Sequence, residues 1–292
     1  MLIGALEAGG TKMVCSIGNE TGKILDRISF PTLKPEPTLA KVATYFQQSN
    51  PVAIGIGCFG PLQLDIAKPG YGSLTCTPKL DWQYVPILEF FQKALHVPIA
   101  IDTDVNAAAL AEWKLGAARG LRSCVYFTVG TGIGGGVIAE ERVLHGLVHP
   151  ELGHMLLRAV PGDPLPEGVC PYHKGCAEGL ACGVAIEKRW GERAENLPAD
   201  HPAWELEAEY LAQLCMNTIV GFSPERIVLG GGVMHQSVLL PKIREKTEML
   251  LGGYVKNAAL GNGMKDYLVP PALGDNSGAV GALLLGMRVA KE

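Results

Sequence analysis

The first 30 residues contain short apolar runs, each bounded by turn residues. Runs of this kind, closed by Gly or Asn, are typical of strands. They predict strands at Leu2–Glu7, Met13–Ile17 and Lys23–Phe30, connected by turns at Gly9-Gly10 and at residues 19–22. Three successive strands with such short connections form an antiparallel meander.

The pattern then changes to an alternation of helices and strands. Helices are predicted at residues 38–48, Pro86–Leu95 and Asn106–Gly116, and strands at Val52–Gly57 and Pro98–Ile101. Helices placed between strands are typical of an α/β fold.

A second meander is predicted after this alternation. Its strands are Ser123–Val129, Gly134–Ala139 and Arg142–Leu144, and it repeats the order of strand, Gly/Thr turn, strand, acidic turn and strand found at the start. The repetition indicates a duplicated fold with two similar halves, whose Gly/Thr turns would face one ligand in a cleft. Two unrelated hairpins that use the same turn residues are the alternative.

Helices dominate the last part of the predicted structure. Residues 145–182 are irregular and rich in Gly, Pro, His and Cys. The later elements are helices around Gly183–Glu195, Trp204–Thr218, Pro241–Leu251 and Ser277–Ala290, and strands at Ile227–Leu229 and Tyr267–Val269.

Composition restricts the classes of protein that fit this pattern. Of the 292 residues, 48% are hydrophobic and 18% are charged, which excludes a disordered chain. A net charge of −4 provides no basic field, so neither nucleic acid nor a membrane is expected as a partner. The longest apolar run, Ala279–Met287, is far shorter than the ~20 residues of a membrane-spanning helix. Met1–Glu7 lacks the basic region of a secretory signal peptide, and we expect a cytoplasmic protein.

The eight cysteines are expected to be buried thiols or metal ligands, as in a reducing compartment. Five stand alone among apolar neighbours and are predicted to pack in the core: Cys15, Cys58, Cys76, Cys124 and Cys215. Cys170, His173 and Cys176 instead form a C-x2-H-x2-C array, which places three zinc ligands on one short loop, and His154 is the nearest candidate for a fourth. A structural zinc is predicted, with a catalytic zinc and a chance grouping as alternatives.

Three glycine-rich turns follow predicted strands, at Gly9–Lys12, Gly130–Gly132 and Gly230–Gly232. Glycine lets backbone N–H groups approach an anion closely, and Thr and Lys add a hydroxyl and a positive charge, so each turn could hold phosphate oxygens. Each turn alone is as well explained by a plain hairpin. Three in one chain favour a nucleotide site.

Two common nucleotide motifs are excluded. Residues 130–135 and 55–60 fit the dinucleotide fingerprint as strings, but neither is followed by the helix that a Rossmann site requires. Residues 18–23 are too short for a Walker A loop, and Ile24 follows where Ser or Thr would bind magnesium. Neither NAD binding nor a P-loop enzyme is expected.

Asp102-Thr103-Asp104-Val105-Asn106 lies where a predicted strand gives way to a helix. This position suits a catalytic carboxylate, and it suits a helix N-cap equally well. Glu151 and Glu178 flank the predicted metal loop. For each of these two, a solvated loop carboxylate is the alternative.

Together these motifs resemble the ROK sugar kinases of the actin-like ATPase/hexokinase superfamily, and most closely their bacterial fructokinase branch. The resemblance covers nearly the whole chain, and it is carried by Glu7–Lys12, Asp102–Asn106, Thr128–Gly136, Pro150–His154, Cys170–Glu178 and Leu229–Val233. It implies an α/β fold of the duplicated ribonuclease H-like type, with two lobes around a cleft. The expected lobes are residues 1–115, completed by the C-terminal helix 277–292, and residues 116–276 with the zinc-binding segment 150–180.

The resemblance also implies roles for the matching residues. Asp104 matches the general base, and Glu7 would bind Mg²⁺ through water. The residues around the sugar would be Gly60, Pro61, Thr103, Asn106, Glu151, His154 and Glu178. Those that hold ATP would be Gly9, Gly10, Thr11, Lys12, Thr128, Gly130, Thr131 and Gly132 at the phosphates, and Gly230, Gly231 and Gly232 near the adenosine. Zinc would be held by His154, Cys170, His173 and Cys176.

The chain departs from the wider family at three positions. Glu7 stands where most ROK kinases have Asp, which changes the distance from carboxylate to magnesium. Thr103 stands where glucose-type members usually have Asn, and His173 stands where they have a third zinc-binding Cys. The last two departures resemble the fructokinase branch.

These features lead us to expect an ATP-dependent hexose kinase, with Mg²⁺ and Zn²⁺, that phosphorylates O6 of D-fructose and forms a homodimer. A kinase for mannose, glucose or an N-acetylated sugar is one alternative. Another is a non-catalytic, sugar-sensing ROK protein, but those repressors carry an N-terminal DNA-binding module, and a strand is predicted here from Leu2. A zinc hydrolase is a third alternative. It would need an open coordination position on the metal, and its activity would be lost with a chelator and would not depend on ATP.

Overall fold

Residues 1–291 are described by a computed structural model, and their strands form two sheets. The first sheet contains β1 (Ile3–Ala8), β2 (Lys12–Gly18), β3 (Ile24–Pro31), β4 (Ala53–Cys58) and β5 (Ile99–Thr103), in the order β3-β2-β1-β4-β5. Neighbours among the first three strands are antiparallel, whereas β4 is parallel to β1 and β5 to β4. The predicted meander and the alternation that follows it therefore share one sheet.

The second sheet repeats this plan. It contains β6 (Cys124–Val129), β7 (Ile133–Ala139), β8 (Arg142–Val143), β9 (Ile227–Gly230) and β10 (Leu268–Val269), in the order β10-β9-β6-β7-β8. β6 and β7 are antiparallel, while β9 is parallel to β6 and β10 to β9. Counted from the β8 edge, the order matches that of the first sheet, so the prediction of a duplicated α/β fold is confirmed.

Helices connect and cover these strands. Those described in the chain are α1 (Pro35–Ser49), α2 (Ile87–Leu95), α3 (Asp104–Leu115), α4 (Ala177–Ala181), α5 (Gly183–Trp190), α6 (Ala203–Phe222), α7 (Leu239–Leu251) and α8 (Ser277–Val289). None of the helices in residues 1–291 combines the length and the apolar character needed to cross a membrane.

Contacts divide the described chain into two units. The first comprises Met1–Glu112, Val143–Pro150 and the residues from Asn276 onward, and the second comprises Trp113–Arg142 and Glu151–Asp275. From the sequence, residues 143–150 were expected in the later lobe. They belong to the first unit because two histidines of this segment form hydrogen bonds there.

The first unit has helices on both faces of its sheet. Phe46 of α1 and Phe91 of α2 pack with Leu6 and other alternate residues of the strands on one face. On the other face, Leu283 of α8 packs in a cluster with Ile3. Every residue of β4 is buried, as expected for a parallel strand covered on both sides.

Glycines bring two helices close to the backbone of β4. A Cβ at Gly55 would overlap the backbone of α8, and a Cβ at Gly57 would lie 3.3 Å from the Cα of Asp104 in α3. A Cβ at Gly281 of α8 would overlap the carbonyl group of Ala107 in α3. These helices therefore pack on β4 and on each other at backbone distance.

A buried ion pair organises part of the second unit. Nε of Arg189 in α5 donates to Oδ1 of Asp163 at 2.7 Å, and both side chains are almost fully buried. The hydroxyl of Tyr210 in α6 donates to Oδ2 of the same carboxylate. This network holds the loop around residue 163 against two helices.

Helix ends differ from the predicted ones where the chain adopts a left-handed conformation. α5 ends at Trp190 instead of Glu195, because Gly191 has a φ of 73° and closes the helix. α6 continues to Phe222 instead of ending near Thr218. The short helix α4 was not predicted, because it lies inside the segment whose composition indicated irregular structure.

One prediction about the cysteines is wrong. Cys15, Cys58, Cys124 and Cys215 are buried, but Cys76 is exposed. Leu74 and Thr77 on either side are the residues that point inward, each about 1% exposed. Apolar neighbours in sequence therefore did not indicate which way Cys76 faces.

The close packing of α8 predicts opposite effects for one substitution at two helical glycines. We expect Gly281→Ala to lower the free energy of unfolding by about 1–3 kcal/mol, since the added methyl overlaps the backbone of α3. The matched control is Gly221→Ala in α6, where a Cβ would meet nothing within 4 Å, and it should stabilise by about 0.5–1 kcal/mol. Urea denaturation measures both. Equal stability of Gly281→Ala and the parent would contradict the packing.

Candidate active site and metal centre

A capped strand-to-helix corner in the first unit carries Asp104. β5 ends at Thr103 and α3 begins at Asp104. The hydroxyl of Thr103 accepts the N–H of Asn106 at 3.1 Å, which is the bond of an N-cap residue. The cap is therefore Thr103 and neither of the aspartates considered from the sequence.

The Asp104 carboxylate lies in the first turn of α3. Its Oδ1 accepts the N–H of Val105 at 2.9 Å. Burial raises the pKa of this carboxyl, and the hydrogen bond from Val105 only partly opposes the shift. A raised pKa makes the carboxylate a better proton acceptor, which suits a general base.

Asp102 is the centre of a hydrogen-bond network behind this corner. Its Oδ1 accepts the N–H of Thr103 at 2.8 Å and the side-chain amide of Asn106 at 2.7 Å. Nε2 of His145 lies 3.0 Å from its Oδ2. Asn106 is 1% exposed, so its amide is committed to Asp102 in this structure.

The predicted phosphate turn between β1 and β2 is held by a lysine that the sequence analysis did not identify. The N–H of Gly9 donates to the carbonyl of Lys12 at 3.0 Å, which closes the turn. Nζ of Lys79 donates to the carbonyl of Gly10 at 2.8 Å and to that of Thr32 at 3.1 Å. Lys79 is about 70 residues distant along the chain, so local sequence carries no sign of this contact.

Glu7 lies near the start of α8. A Cβ at Gly278 would overlap the Glu7 carboxylate, so this side chain packs against the first turn of the helix. A carboxylate is favoured there by the positive end of the helix dipole. Magnesium binding by Glu7 stays a prediction.

Gly60 and Pro61 follow β4 in the first unit and are joined by a cis peptide bond. The next residue, Leu62, donates its backbone N–H to Nε2 of His149 at 3.0 Å. Residues 60–62, here called the 60–62 loop, are therefore tied to a second histidine that the sequence analysis did not identify.

Two predicted nucleotide turns lie side by side in the second unit. In the turn between β6 and β7, the N–H of Gly130 donates to the carbonyl of Gly132. The carbonyl of Gly130 accepts the N–H of Gly183. Gly231, with a φ of 93°, lies so close to β6 that a Cβ would be 2.5 Å from Val129 N and O and 2.8 Å from Thr128 Oγ1. Only glycine fits this approach and this φ.

Glu178 of α4 contacts the same β6–β7 turn. Its Oε2 accepts the N–H of Ile133 at 3.0 Å, and a Cβ at Gly132 would overlap its carboxylate. Glu151 is exposed, directly before the 3-10 helix Leu152–His154. Contacts of either carboxylate with a sugar stay predictions.

The four predicted zinc ligands come together in the second unit. Nδ1 of His154 lies 3.8 Å from Sγ of Cys170 and 3.6 Å from Sγ of Cys176, and Nδ1 of His173 lies 3.8 Å from Sγ of Cys170. The ligand atoms are all within 4.8 Å of one another. Zinc bonds of ~2.0–2.3 Å in a tetrahedron separate the ligand atoms by about 3.3–3.8 Å, so this set fits Zn²⁺.

Known proteins place the chain in one family. Residues 3–289 match the ROK family. The chain is 45% identical to a fructokinase of Pediococcus pentosaceus, with 100% of both chains covered, and 42% identical to a fructokinase of Zymomonas mobilis, with 98% of this chain and 96% of the relative covered. A ROK hexokinase of Thermus thermophilus has a similar structure, with a TM-score of 0.78, 30% identity and coverage of 100% and 99%. The chain therefore belongs to the ROK family.

Proposed function

We propose that this protein is an ATP-dependent fructokinase that transfers the γ-phosphoryl group of ATP to O6 of D-fructose. The observation that carries the proposal is the similarity at 42–45% identity, along nearly the whole of both chains, to proteins named fructokinase. A half-buried carboxylate of raised pKa at Asp104 supports it, because phosphoryl transfer to a hydroxyl needs a proton acceptor.

Asp104 would act on the attacking hydroxyl. It orients the O6 hydroxyl towards the γ-phosphorus and accepts its proton as the new bond to phosphorus forms. Thr103 caps α3, so the corner that carries Asp104 is rigid before the sugar binds. The remaining residues proposed around the sugar are Gly60, Pro61, Thr103, Asn106, Glu151, His154 and Glu178.

The glycine turns would hold ATP through backbone N–H groups. Gly9–Lys12 faces the transferring phosphate, Thr128 with Gly130–Gly132 holds the other phosphates, and Gly230–Gly232 lies near the adenosine. Glu7 would hold Mg²⁺ through water, and the bound ion would supply positive charge that offsets the negative charge of the phosphate oxygens. Phosphoryl transfer depends on such positioning and neutralisation more than on covalent catalysis, which agrees with a site rich in glycine.

A hexose panel tests this proposal. We expect release of ADP, measured in a coupled assay, with a higher kcat/KM for fructose than for glucose, mannose or an N-acetylated hexose. A higher value for glucose would reject the fructokinase assignment and leave the kinase. Absence of sugar-dependent ADP release would reject both and favour a sugar-sensing protein.

Replacement of the proposed base should separate catalysis from folding. Asp104→Asn should lower kcat by about 10²–10⁴, the usual contribution of a general base. Thermal stability should change little because the cap on α3 is Thr103. The exposed Asp200→Asn is the matched control and should keep full activity.

The same carboxyl predicts an acid limit to activity. Protonation of Asp104 removes the base, so kcat/KM should fall as the pH falls through its pKa, which burial raises above the ordinary aspartate value of about 3.9.

Retention of more than about a tenth of the parent kcat by Asp104→Asn would assign the proton to another group or to water.

We further propose that His154, Cys170, His173 and Cys176 hold one structural zinc. Four protein ligands leave no coordination position for water, which disfavours the zinc hydrolase considered from the sequence. When bound, zinc joins residues distant in sequence into one rigid segment.

Metal analysis tests the zinc site. The purified protein should contain one zinc per chain, and Cys176→Ser should lose most of it and unfold at a lower temperature. Cys182→Ser is the matched control, because Cys182 is a neighbouring buried thiol that lies outside the cluster and accepts the N–H of Ala185. A folded protein without stoichiometric metal would contradict the proposal.

Two further expectations remain proposals. None of the eight cysteines, all of which lie in the described residues, forms a disulfide, which agrees with a reducing compartment such as the cytoplasm. A homodimer is expected from the family resemblance alone.

A further inference from the structure

Residues 143–150 bring two histidines to the elements proposed to face the sugar. This segment belongs to the first unit of the chain. His145 contacts Asp102 at the end of β5, and His149 contacts Leu62 in the 60–62 loop. Neither contact is apparent from the sequence, because each joins residues far apart along the chain.

The contact of His145 is with a buried charge. Nε2 of His145 lies 3.0 and 3.2 Å from the two oxygens of Asp102, whose side chain is 9% exposed. A carboxylate removed from water needs a compensating partner. Asp102 in turn holds the amide of Asn106 and the N–H of Thr103. His145 thus orients the carboxylate on which the corner before Asp104 depends.

The contact of His149 determines which of its ring nitrogens carries a proton. Nε2 accepts the N–H of Leu62 at 3.0 Å, so this nitrogen is unprotonated. His149 is 5% exposed, and a backbone hydrogen bond at Pro150 also acts on the ring. A neutral ring therefore holds the backbone of the 60–62 loop directly after Pro61.

We propose that residues 143–150 form a histidine strap in which His145 and His149 are positioning residues for hexose phosphorylation. His145 fixes the corner that presents Asp104, and His149 fixes the 60–62 loop. Neither histidine needs to touch the sugar. The proposal rests on the proposed kinase function. It adds His145 and His149 to the residues proposed to bind the sugar, ATP or a metal.

The pKa values of the two histidines are shifted in opposite directions. The hydrogen bond to Asp102 raises the pKa of His145, against burial and the charge of Arg288. Burial lowers the pKa of His149, with Asp102 and His145 as its charged neighbours. Tyr71 is the further titratable group facing Asp102 and Arg288. Both strap bonds are complete at pH values between the two histidine pKa values, where His145 is charged and His149 is neutral.

Leucine and glutamine substitutions at each position test the strap. Leucine removes the hydrogen bond, whereas glutamine keeps a donor at position 145 and an acceptor at position 149. We expect His145→Leu and His149→Leu each to lower kcat/KM for fructose by about 10- to 100-fold, the effect of losing a hydrogen bond with a charged or buried partner. The KM for ATP should stay unchanged, and both glutamine variants should recover most of the loss.

The pH profile gives a readout that a merely structural role would not move. At acid pH, protonation of Asp104 and protonation of His149 each lower kcat/KM in the parent. A plot of log(kcat/KM) against pH should therefore approach a slope of two. His149→Gln should reduce this slope to one, since glutamine accepts the bond without titrating. An unchanged profile would overturn the role of His149.

Other outcomes separate this proposal from the proposed function. Parent-like kcat/KM in both leucine variants would overturn the strap and leave the kinase intact. Equal losses in the leucine and glutamine variants, together with lower melting temperatures, would also overturn it. If the parent phosphorylates another hexose and not fructose, the fructokinase assignment fails, and the same four variants test the strap with that hexose.

Discussion

Close contact between backbones at Gly55, Gly57 and Gly281 is the constraint on which the first unit depends. The missing side chains let α3 and α8 pack directly on β4. The start of α3 is thereby held one van der Waals contact from the strand, so the position of Asp104 is set by main-chain atoms, which have few alternative conformations. A carboxylate placed in this way needs little reorganisation when a substrate arrives.

Local patterns predicted the parts of the fold that depend on nearby residues. Both meanders, the alternation of helices and strands, and the C-x2-H-x2-C loop follow from spacings of a few residues, and the structure contains these strands and the expected cluster around Cys170. Contacts between distant segments were not predictable in this way. Lys79 beside Gly10 and His145 beside Asp102 depend on the tertiary fold, and Gly191 ends α5 through a backbone conformation that the helical pattern did not indicate.

The short helix α4 connects the proposed metal cluster to the proposed nucleotide turn between β6 and β7, within the second unit. Cys176, a member of the cluster, accepts the N–H of Gly179 and so caps the helix. Glu178 in its first turn accepts the N–H of Ile133 beside the β6–β7 turn. A five-residue helix is marginal by itself. Ligation of Cys176 by the proposed zinc would therefore determine how firmly Glu178 is held.

The placement of α8 has a consequence for synthesis of the chain on the ribosome. The strands of the first sheet end at Thr103, but the helix that covers one of its faces begins at Ser277. About 170 residues separate them, which at ~5–20 residues per second corresponds to roughly 10–35 s of translation. During that interval the strand residues that α8 covers, among them Ile3 and Ala53, lack this helix, and α3 is the helix already made on that face. The first unit therefore completes its core only when the end of the chain has been made, whereas the strands of the second sheet all precede α8 in the chain.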